Sequence, residues 1–254
     1  MISEEHKLAA TLPSSHVSSL KRIESGYWWY VGRVRWATRL ISPWAKQQPR
    51  PLLYADLGCG TGGFAASVHS KFDFDRVALV DGDPAMLAEA PQQSPFESYH
   101  RNLQAPFGLP FQPQLISCMD VIEHLEDDRS FVKAIAAMLP RGGKLIASVP
   151  AHQWLFSEWD RVLGHYRRYD KTTLKKVFEE AGLRIETAAY MWSALVPLGL
   201  LRKRQFKKGA QAEFPKVSAP VNFALTLYSD LEWRASQAIP TPFGTSLIVS
   251  AKKP

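Results

Sequence analysis

The chain has 254 residues, 46% of them hydrophobic, and a formal net charge of +7. That is enough apolar material for one substantial core without disulfide or metal staples, and it excludes a disordered or collagen-like chain. Two cysteines, Cys59 and Cys118, lie far apart within strand-like apolar stretches, which argues against a disulfide framework and fits a reducing compartment.

The opening MISEEHKLAATLP lacks the basic-then-apolar pattern of a secretory signal, and no stretch is long enough to cross a bilayer. The expectation is a cytoplasmic protein. The segment from Ser3 to Lys46 begins polar and becomes helix-like, with aromatics at Tyr27, Trp28, Trp29, Tyr30 and Trp36. After Pro49-Arg50-Pro51, Leu52 to Leu57 reads as a buried strand ending in a glycine-rich turn. A helix from Phe64 to Lys71 and a second strand from Arg76 to Val80 follow. Pro84 to Ala90 starts another helix, with Asp83 as N-cap and Pro84 in its first turn. Gln114 to Met119 is expected as the third strand, Asp128 to Met138 as a helix, and Lys144 to Val149 as a strand stopped by Pro150. Lys171 to Ala181 has helical spacing and ends at Gly182, before two late strands at Arg184 to Tyr190 and Ser246 to Lys252. Strands alternating with helices imply βαβ units and a largely parallel sheet covered on both faces.

The most informative segment is Asp56-Leu57-Gly58-Cys59-Gly60-Thr61-Gly62-Gly63, between a strand and a helix. Glycines admit dihedrals closed to other residues and let a ligand approach the backbone. Asp56, at the strand end, is placed to accept from a cationic amino-acid group or from water. Asp81 ends the next strand, where a carboxylate offers two acceptors side by side for the hydroxyls of an adenosine ribose. The alternative is that Asp81-Gly82-Asp83-Pro84 only turns the chain and caps a helix, which is the preferred reading for Asp83.

Together, DLGCGTGGF, ALVDGDPAML and CMDVIEHLED resemble the successive motifs of class I S-adenosylmethionine-dependent methyltransferases, over roughly Leu52 to Gly182. The chain looks like the branch that includes ubiquinone-biosynthesis methyltransferases (type 11/12-like). WWYVGR, GHYRRYD and PFGTSLIVSAKK are similar to a less characterised branch, so the resemblance fixes no acceptor. It implies a Rossmann-like α/β fold, with a seven-stranded mostly parallel sheet, an antiparallel last strand, a helical N-terminal lid and a late helical insertion. Residues 1–50 would form the lid, 51–190 the cofactor-binding core, 191–243 the insertion and 244–254 the last strand of a single domain.

The resemblance also implies roles. Gly58, Gly60 and Gly62 would pass beneath the methionine portion of S-adenosylmethionine, with Asp56 near its ammonium. Asp81 would hold the ribose, and Gly82 and Met86 would lie by the adenine. Asn102 and Leu103 fall where the family often has an acid and then a hydrophobic residue; Asn102 keeps an amide oxygen as acceptor. Met119 and Asp120 would border the sulfonium, with Glu123 and His124 at the following helix or loop, where His124 is more often structural than catalytic. Apart from the resemblance, the Tyr27 to Arg33 cluster either forms a lid over the cofactor, with Arg33 meeting its carboxylate and Tyr27 or Trp28 closing the pocket, or packs its aromatics against the sheet, the preferred reading for Trp29 and Trp36.

A methyl sulfonium is already an activated donor, so positioning is the main demand, and a base is needed only where the acceptor must lose a proton. His152, His165 and Tyr166 are the catalytic candidates, because they follow a strand end where open α/β sheets place ligands. Arg167 and Arg168 either grip an anionic acceptor or form structural ion pairs, the latter preferred. Trp28, Trp154, Arg168 and Trp192 are the candidate acceptor contacts. No closely spaced set of ligands has a zinc-like pattern, and EHLEDD, Glu123 to Asp128, reads as a loop and helix start rather than a ligand set, so no metal is expected.

Between the late strands, the apolar Ala194 to Leu201 precedes Arg202, Lys203, Arg204, Lys207 and Lys208. The region 194–208 meets an anionic membrane surface, placing the protein at the inner face of the membrane, or caps the active site and recognises an acidic or lipid-like acceptor, or packs on the core with its basic end solvated, the commonest outcome for a charge run. The leading expectation is methyl transfer to a small-molecule or lipid-like acceptor, preferentially at oxygen, without nucleic acid. An RNA or protein methyltransferase, a nicotinamide-dependent reductase and a non-catalytic cofactor-binding protein are the competing readings. The reductase would need a different G-x-G-x-x-G spacing.

Overall fold

The computed structural model describes residues 20–24, 26–205 and 216–254. The strands are β1 (Leu53–Leu57), β2 (Arg76–Asp81), β3 (Phe96–His100), β4 (Leu115–Met119), β5 (Lys144–Pro150), β6 (Arg184–Met191) and β7 (Ser246–Lys252). They form one sheet in the order β3-β2-β1-β4-β5-β7-β6. The strands from β3 across to β5 pair in parallel, whereas β7 runs antiparallel between β5 and β6. The chain therefore winds outward in one direction from β1 to β3 and in the other through β4 and β5. The switch point lies between β1 and β4, where open α/β sheets open a ligand crevice at the carboxyl ends of the strands.

One strand escaped the sequence reading. Gln114 to Met119 was expected to be third, but β3 precedes it, so this segment is β4. Strand β3, Phe-Glu-Ser-Tyr-His, is half-exposed at the sheet edge and lacks the apolar run of the central strands. Strands β1, β4 and β5 are instead buried along almost their whole length, as parallel strands covered on both faces must be.

Helices α1 (Trp28–Ala45) and α2 (Gly63–Phe72) cover one face, where Trp36, Ile41, Phe64 and Val68 pack into one cluster. The short α3 (Pro84–Ala88) follows β2, with the Asp83 carboxylate accepting from Ala85 N–H at 2.8 Å, the cap expected of it. On the other face, α4 (Asp128–Met138) and α6 (Lys171–Glu180) contribute Phe131, Ile135, Leu174 and Phe178 to a second cluster. Asp127 and Asp170 cap these helices by accepting from Ser130 N–H at 3.0 Å and Thr173 N–H at 2.8 Å. The short α5 (Glu158–Val162) sits in the loop after β5.

The late insertion carries α7 (Val196–Gln205) and α8 (Ala219–Ser236). Helix α8 reaches back to α1: Trp36 Nε1 donates to the Ser229 carbonyl at 3.0 Å, and Arg35 and Arg39 both pair with Asp230. Gly32 lets the two helices close, since a Cβ there would lie 2.6 Å from Ser229 Oγ. The buried Glu232 carboxylate accepts from the N–H groups of Trp192 and Ser193 and from the Tyr228 hydroxyl. Both cysteines are buried and free. Among the described residues no helix is long and apolar enough to cross a membrane.

Candidate active site

Strand β1 delivers Asp56 to the switch point, and the turn after it is set by three glycines with positive φ: 70° at Gly58, 56° at Gly60 and 78° at Gly62. At Gly58 a side chain is excluded twice, by φ and by Val121 Cγ2, which would stand 2.4 Å from an added Cβ. The two Asp81 carboxylate oxygens accept from Gly60 N–H at 2.8 Å and Asp83 N–H at 2.9 Å. Asp81 thus ties the glycine turn to the end of β2. Each oxygen keeps a second lone pair, so this bracing is compatible with a ribose.

Asp56 is the tension in this crevice. Its Oδ1 accepts from Ser117 Oγ, while Oδ2 is buried without a partner. Burial outweighs the Ser117 bond and the Arg33 charge and pushes the carboxyl up to about 7. An orphaned buried carboxylate oxygen beside the glycine turn fits the ammonium of an amino-acid ligand.

Strand β4 ends at Met119, and Asp120 adopts a left-handed φ of 57°, unusual for a residue with a side chain. Ser148 Oγ, from the neighbouring β5, donates to Asp120 Oδ1 at 2.8 Å, and Arg33 pairs with Oδ2. The buried Arg33 guanidinium also lies 4.0 Å from the centroid of Trp29, so α1 is fastened to the mouth of β4. Behind it, Ile122–His124 forms a short 3-10 turn. Glu123 is fully buried with neither carboxylate oxygen bonded, and burial, then Asp120, drive its carboxyl well above the usual range. The half-buried His124 is held down to about 4 by burial and by His165, whose ring centroid lies 4.6 Å away.

The loop after β5 supplies the other candidates. His152, also at a left-handed φ of 61°, is stacked between Trp154 and Tyr190 at 4.9 and 4.7 Å. Its Nε2 is buried without a partner, and burial lowers the imidazole pKa, so the ring is neutral at pH 7. His165 Nδ1 lies 3.0 Å from Asp160 Oδ1, and Arg168 Nε donates to the same oxygen at 2.7 Å. Burial works against ionisation of Asp160, but His165 and Arg168 outweigh it and hold its carboxyl down at about 2. Arg167 pairs with Asp128 at 3.0 Å and donates to the Glu126 carbonyl at 2.7 Å. Arg168 is thus engaged inside the loop, while Arg167 ties the loop to the start of α4. Tyr166 is half-exposed, and its N–H donates to the Glu123 carbonyl at 2.8 Å.

The remaining candidates are more scattered. Met86, on α3, is buried. Asn102 is exposed and accepts from Gln104 N–H at 2.9 Å, while Leu103 packs partly on the core. Trp28 and Trp192 are buried against each other, ring centroids 5.4 Å apart, and Trp192 Nε1 donates to Ser229 Oγ at 3.2 Å. These two indoles join α1 to the insertion, whereas Trp154 stands half-exposed. Tyr27 immediately precedes α1, and burial raises its hydroxyl pKa. The sequence reading overlooked Glu24, which accepts from Thr61 Oγ1 and so draws the segment before α1 onto the glycine turn. It also overlooked Ser117 and Ser148, whose hydroxyls position the two site aspartates. Polar residues inside otherwise apolar strands were the available signal.

No metal was expected, yet Glu123, His124 and His165 each place a ligand-type atom within 4.8 Å of the others.

The comparisons agree with this geometry. A family described as a methyltransferase domain matches residues 30–188, more than half of the chain. Trans-aconitate 2-methyltransferase of Methylobacterium radiotolerans is 30% identical over 118 residues, covering 46% of this chain and 45% of that protein. The enzyme of the same name from Escherichia coli is 32% identical over 105 residues, 40% of each chain. The matches thus span less than half the length of these relatives. Among solved structures, an S-adenosylmethionine-dependent methyltransferase from Clostridium acetobutylicum superposes with a TM-score of 0.54 at 15% identity, over 85% of this chain and 90% of that one. Phosphoethanolamine N-methyltransferase 2 of Haemonchus contortus, bound to S-adenosyl-L-methionine, superposes with a TM-score of 0.55 at 18% identity, over 89% and 57%. The match over residues 30–188, on a seven-stranded sheet of this order, makes the chain a member of the methyltransferase domain family, the class I S-adenosylmethionine-dependent methyltransferases.

Proposed function

We propose that the chain transfers the methyl group of S-adenosylmethionine to an oxygen of a small acceptor in the crevice between β1 and β4. The observation that carries this reading is Asp56, a buried carboxylate with one unbonded oxygen at the floor of a glycine turn braced by Asp81. Asp56 would receive the ammonium, Asp81 the ribose, and Gly58, Gly60 and Gly62 the close approach of the methionine chain. Met86 and Gly82 would flank the adenine, with Asn102 and Leu103 at its rim. Arg33, already drawn to Asp120, would meet the cofactor carboxylate, and Met119 and His124 would border the reacting centre. When bound, the cofactor supplies the electrophilic methyl group, and the protein has to align an acceptor in line and keep water out.

The neutral His152 is the base this reading favours. Its ring is clamped between Trp154 and Tyr190, and its unpartnered Nε2 keeps a lone pair for an acceptor hydroxyl. A carboxylate acceptor would need no base. The trans-aconitate enzymes among the relatives make small hydroxy and carboxylic acids the first acceptors to screen. Calorimetry with S-adenosylmethionine and S-adenosylhomocysteine tests the reading, with NADH as control and Asp81→Ala alongside. Micromolar binding weakened at least tenfold in the variant is expected. Binding of NADH alone would sink the proposal.

A second reading concerns where the enzyme works. Leu198, Leu200 and Leu201 of α7 are exposed directly before Arg202, Lys203 and Arg204, and Phe223, Leu227 and Leu231 form an exposed stripe at helical spacing on α8. Such surfaces favour an anionic lipid interface or a lipid-like acceptor. Two of the basic residues also hold the β5 loop. The Arg202 guanidinium lies 3.8 Å from the Trp159 ring centroid, and Lys203 Nζ donates to the Trp154 carbonyl at 2.6 Å. Lys207 and Lys208 lie outside the described residues.

A further inference from the structure

Among the described residues, Glu123 is the carboxylate whose two oxygens are both buried and both without a hydrogen-bond partner. The charges of Arg33 and Arg168 reach an ionised carboxylate in that position, but neither guanidinium donates to it, so its burial is not offset by hydrogen bonds. Protonating it removes the charge but leaves the oxygens unbonded, and buried polar groups are rarely left so. Two imidazoles lie close to it. Glu123, His124 and His165 set three ligand-type atoms within 4.8 Å of one another, a spacing that side-chain adjustment closes to the contacts of a shared ion.

The surroundings are those of a supported ligand set. His165 Nδ1 faces the Asp160 carboxylate at 3.0 Å, which fixes the tautomer with the proton on Nδ1 and leaves the lone pair on Nε2. Asp160 is itself held by Arg168 Nε at 2.7 Å and by Ser157 N–H at 2.8 Å. A carboxylate behind a histidine, anchored in turn by further bonds, is the usual support of a metal-ligating imidazole. The two ligand-bearing segments are also stitched together: Tyr166 N–H donates to the Glu123 carbonyl at 2.8 Å, and His165 N–H to the Asp160 carbonyl at 2.9 Å. Asp120, the nearest further acid, is engaged by Arg33 and Ser148 and is not needed.

We propose that Glu123, His124 and His165 form a binding site for one divalent transition-metal ion at the carboxyl end of β4. One carboxylate with two imidazoles suits zinc, manganese, iron(II) or cobalt(II), rather than the all-oxygen sets of calcium and magnesium. Three protein ligands leave coordination positions open, as in catalytic rather than structural sites. Under the oxygen-methylation reading, on which this role rests, an open position takes the acceptor oxygen and holds it in the cofactor crevice. The metal site itself does not depend on that reading.

The test uses the full chain, stripped with a chelator and titrated with cobalt(II) in the absence of any acceptor. Visible d–d absorption reports inner-sphere ligation, and calorimetry with zinc gives the stoichiometry. One saturating ion per chain is expected, with Glu123→Gln and His165→Asn each weakening it at least tenfold. Asp160→Asn should weaken it by about ten- to a hundredfold, the range for an outer-sphere partner. Absence of saturable binding, or unchanged binding in both ligand variants, would overturn the site. Should a variant fail to fold, manganese-induced broadening of the imidazole resonances of the unaltered protein decides. Broadening of His124 and His165 ahead of the other histidines supports the site, and uniform broadening refutes it.

Discussion

Asp56, proposed to receive the cofactor ammonium, is a buried carboxyl with one unbonded oxygen that works against the ligand-free fold. Its carboxyl, raised to about 7 by burial, binds a proton more tightly when folded than when unfolded, where it titrates near 4. Below the unfolded value both states are protonated and nothing is lost. As the pH rises from about 4 to about 7, the folded state resists ionisation and stability falls, by up to about 4 kcal/mol. Asp56→Asn should flatten this slope. Urea melts at pH 5 and pH 8 should show the variant more stable than its parent at the higher pH, while calorimetry shows cofactor affinity down at least tenfold. Parallel pH profiles in the two proteins would contradict the assignment. His152→Gln addresses a different step: kcat on a hydroxyl acceptor should fall about 10²- to 10⁴-fold with KM little changed, and a carboxylate acceptor should be spared. Both aspartates at the ends of β1 and β2, and the three glycines, were readable in the sequence because a strand–turn–helix motif is written in consecutive residues. The pairing of Arg33 with Asp120, and the meeting of Glu123 and His124 with His165, were not. Those partners lie on segments that only the sheet topology brings together.

At the scale of elements, the conspicuous contact joins α1 to α8. Gly32→Ala would place a methyl 2.6 Å from Ser229 Oγ and 3.2 Å from Ser229 Cβ, so the Ser229 side chain or the helix must shift. The expected cost is about 1 to 3 kcal/mol in chemical denaturation. Combining it with Ser229→Gly should return part of that loss, a coupling of at least about 0.5 kcal/mol. Strictly additive single effects would show that the helices do not meet as described. The central strands and capped helices were legible because apolar runs and cap residues are local signals. Strand β3 was not, since its alternating polar sequence at the sheet edge carries half the burial signal. The packing of α8 on α1 was equally hidden, because Trp36, Gly32 and Arg39 give no sign of which distant helix they meet.

For the whole molecule, cofactor binding and stability are linked. A ligand at a hundred times its Kd adds about 2.7 kcal/mol to the folded state, and a domain of this size should gain about 5 to 10 °C in Tm. S-adenosylhomocysteine should produce that shift and adenosine alone a smaller one; equal shifts would place the binding energy wholly in the nucleoside half. The basic charge makes a separate prediction. Vesicles containing anionic lipid should sediment the protein at low salt and release it as salt rises, whereas zwitterionic vesicles should not. Indifference to lipid charge would reduce α7 and α8 to a cover for the crevice.

The position of β7 between β5 and β6 has a consequence for how the protein is made. Among the described residues β6 has β7 as its sole neighbour in the sheet, and β7 is supplied by Ser246–Lys252, after the insertion. On the ribosome, β1 to β5 can pair as they emerge, but β6 must wait through synthesis of α7 and α8 with both edges unpaired. A nascent chain stalled within the insertion would therefore carry a finished cofactor crevice beside an open strand, the part of the molecule on which a chaperone would be expected to act.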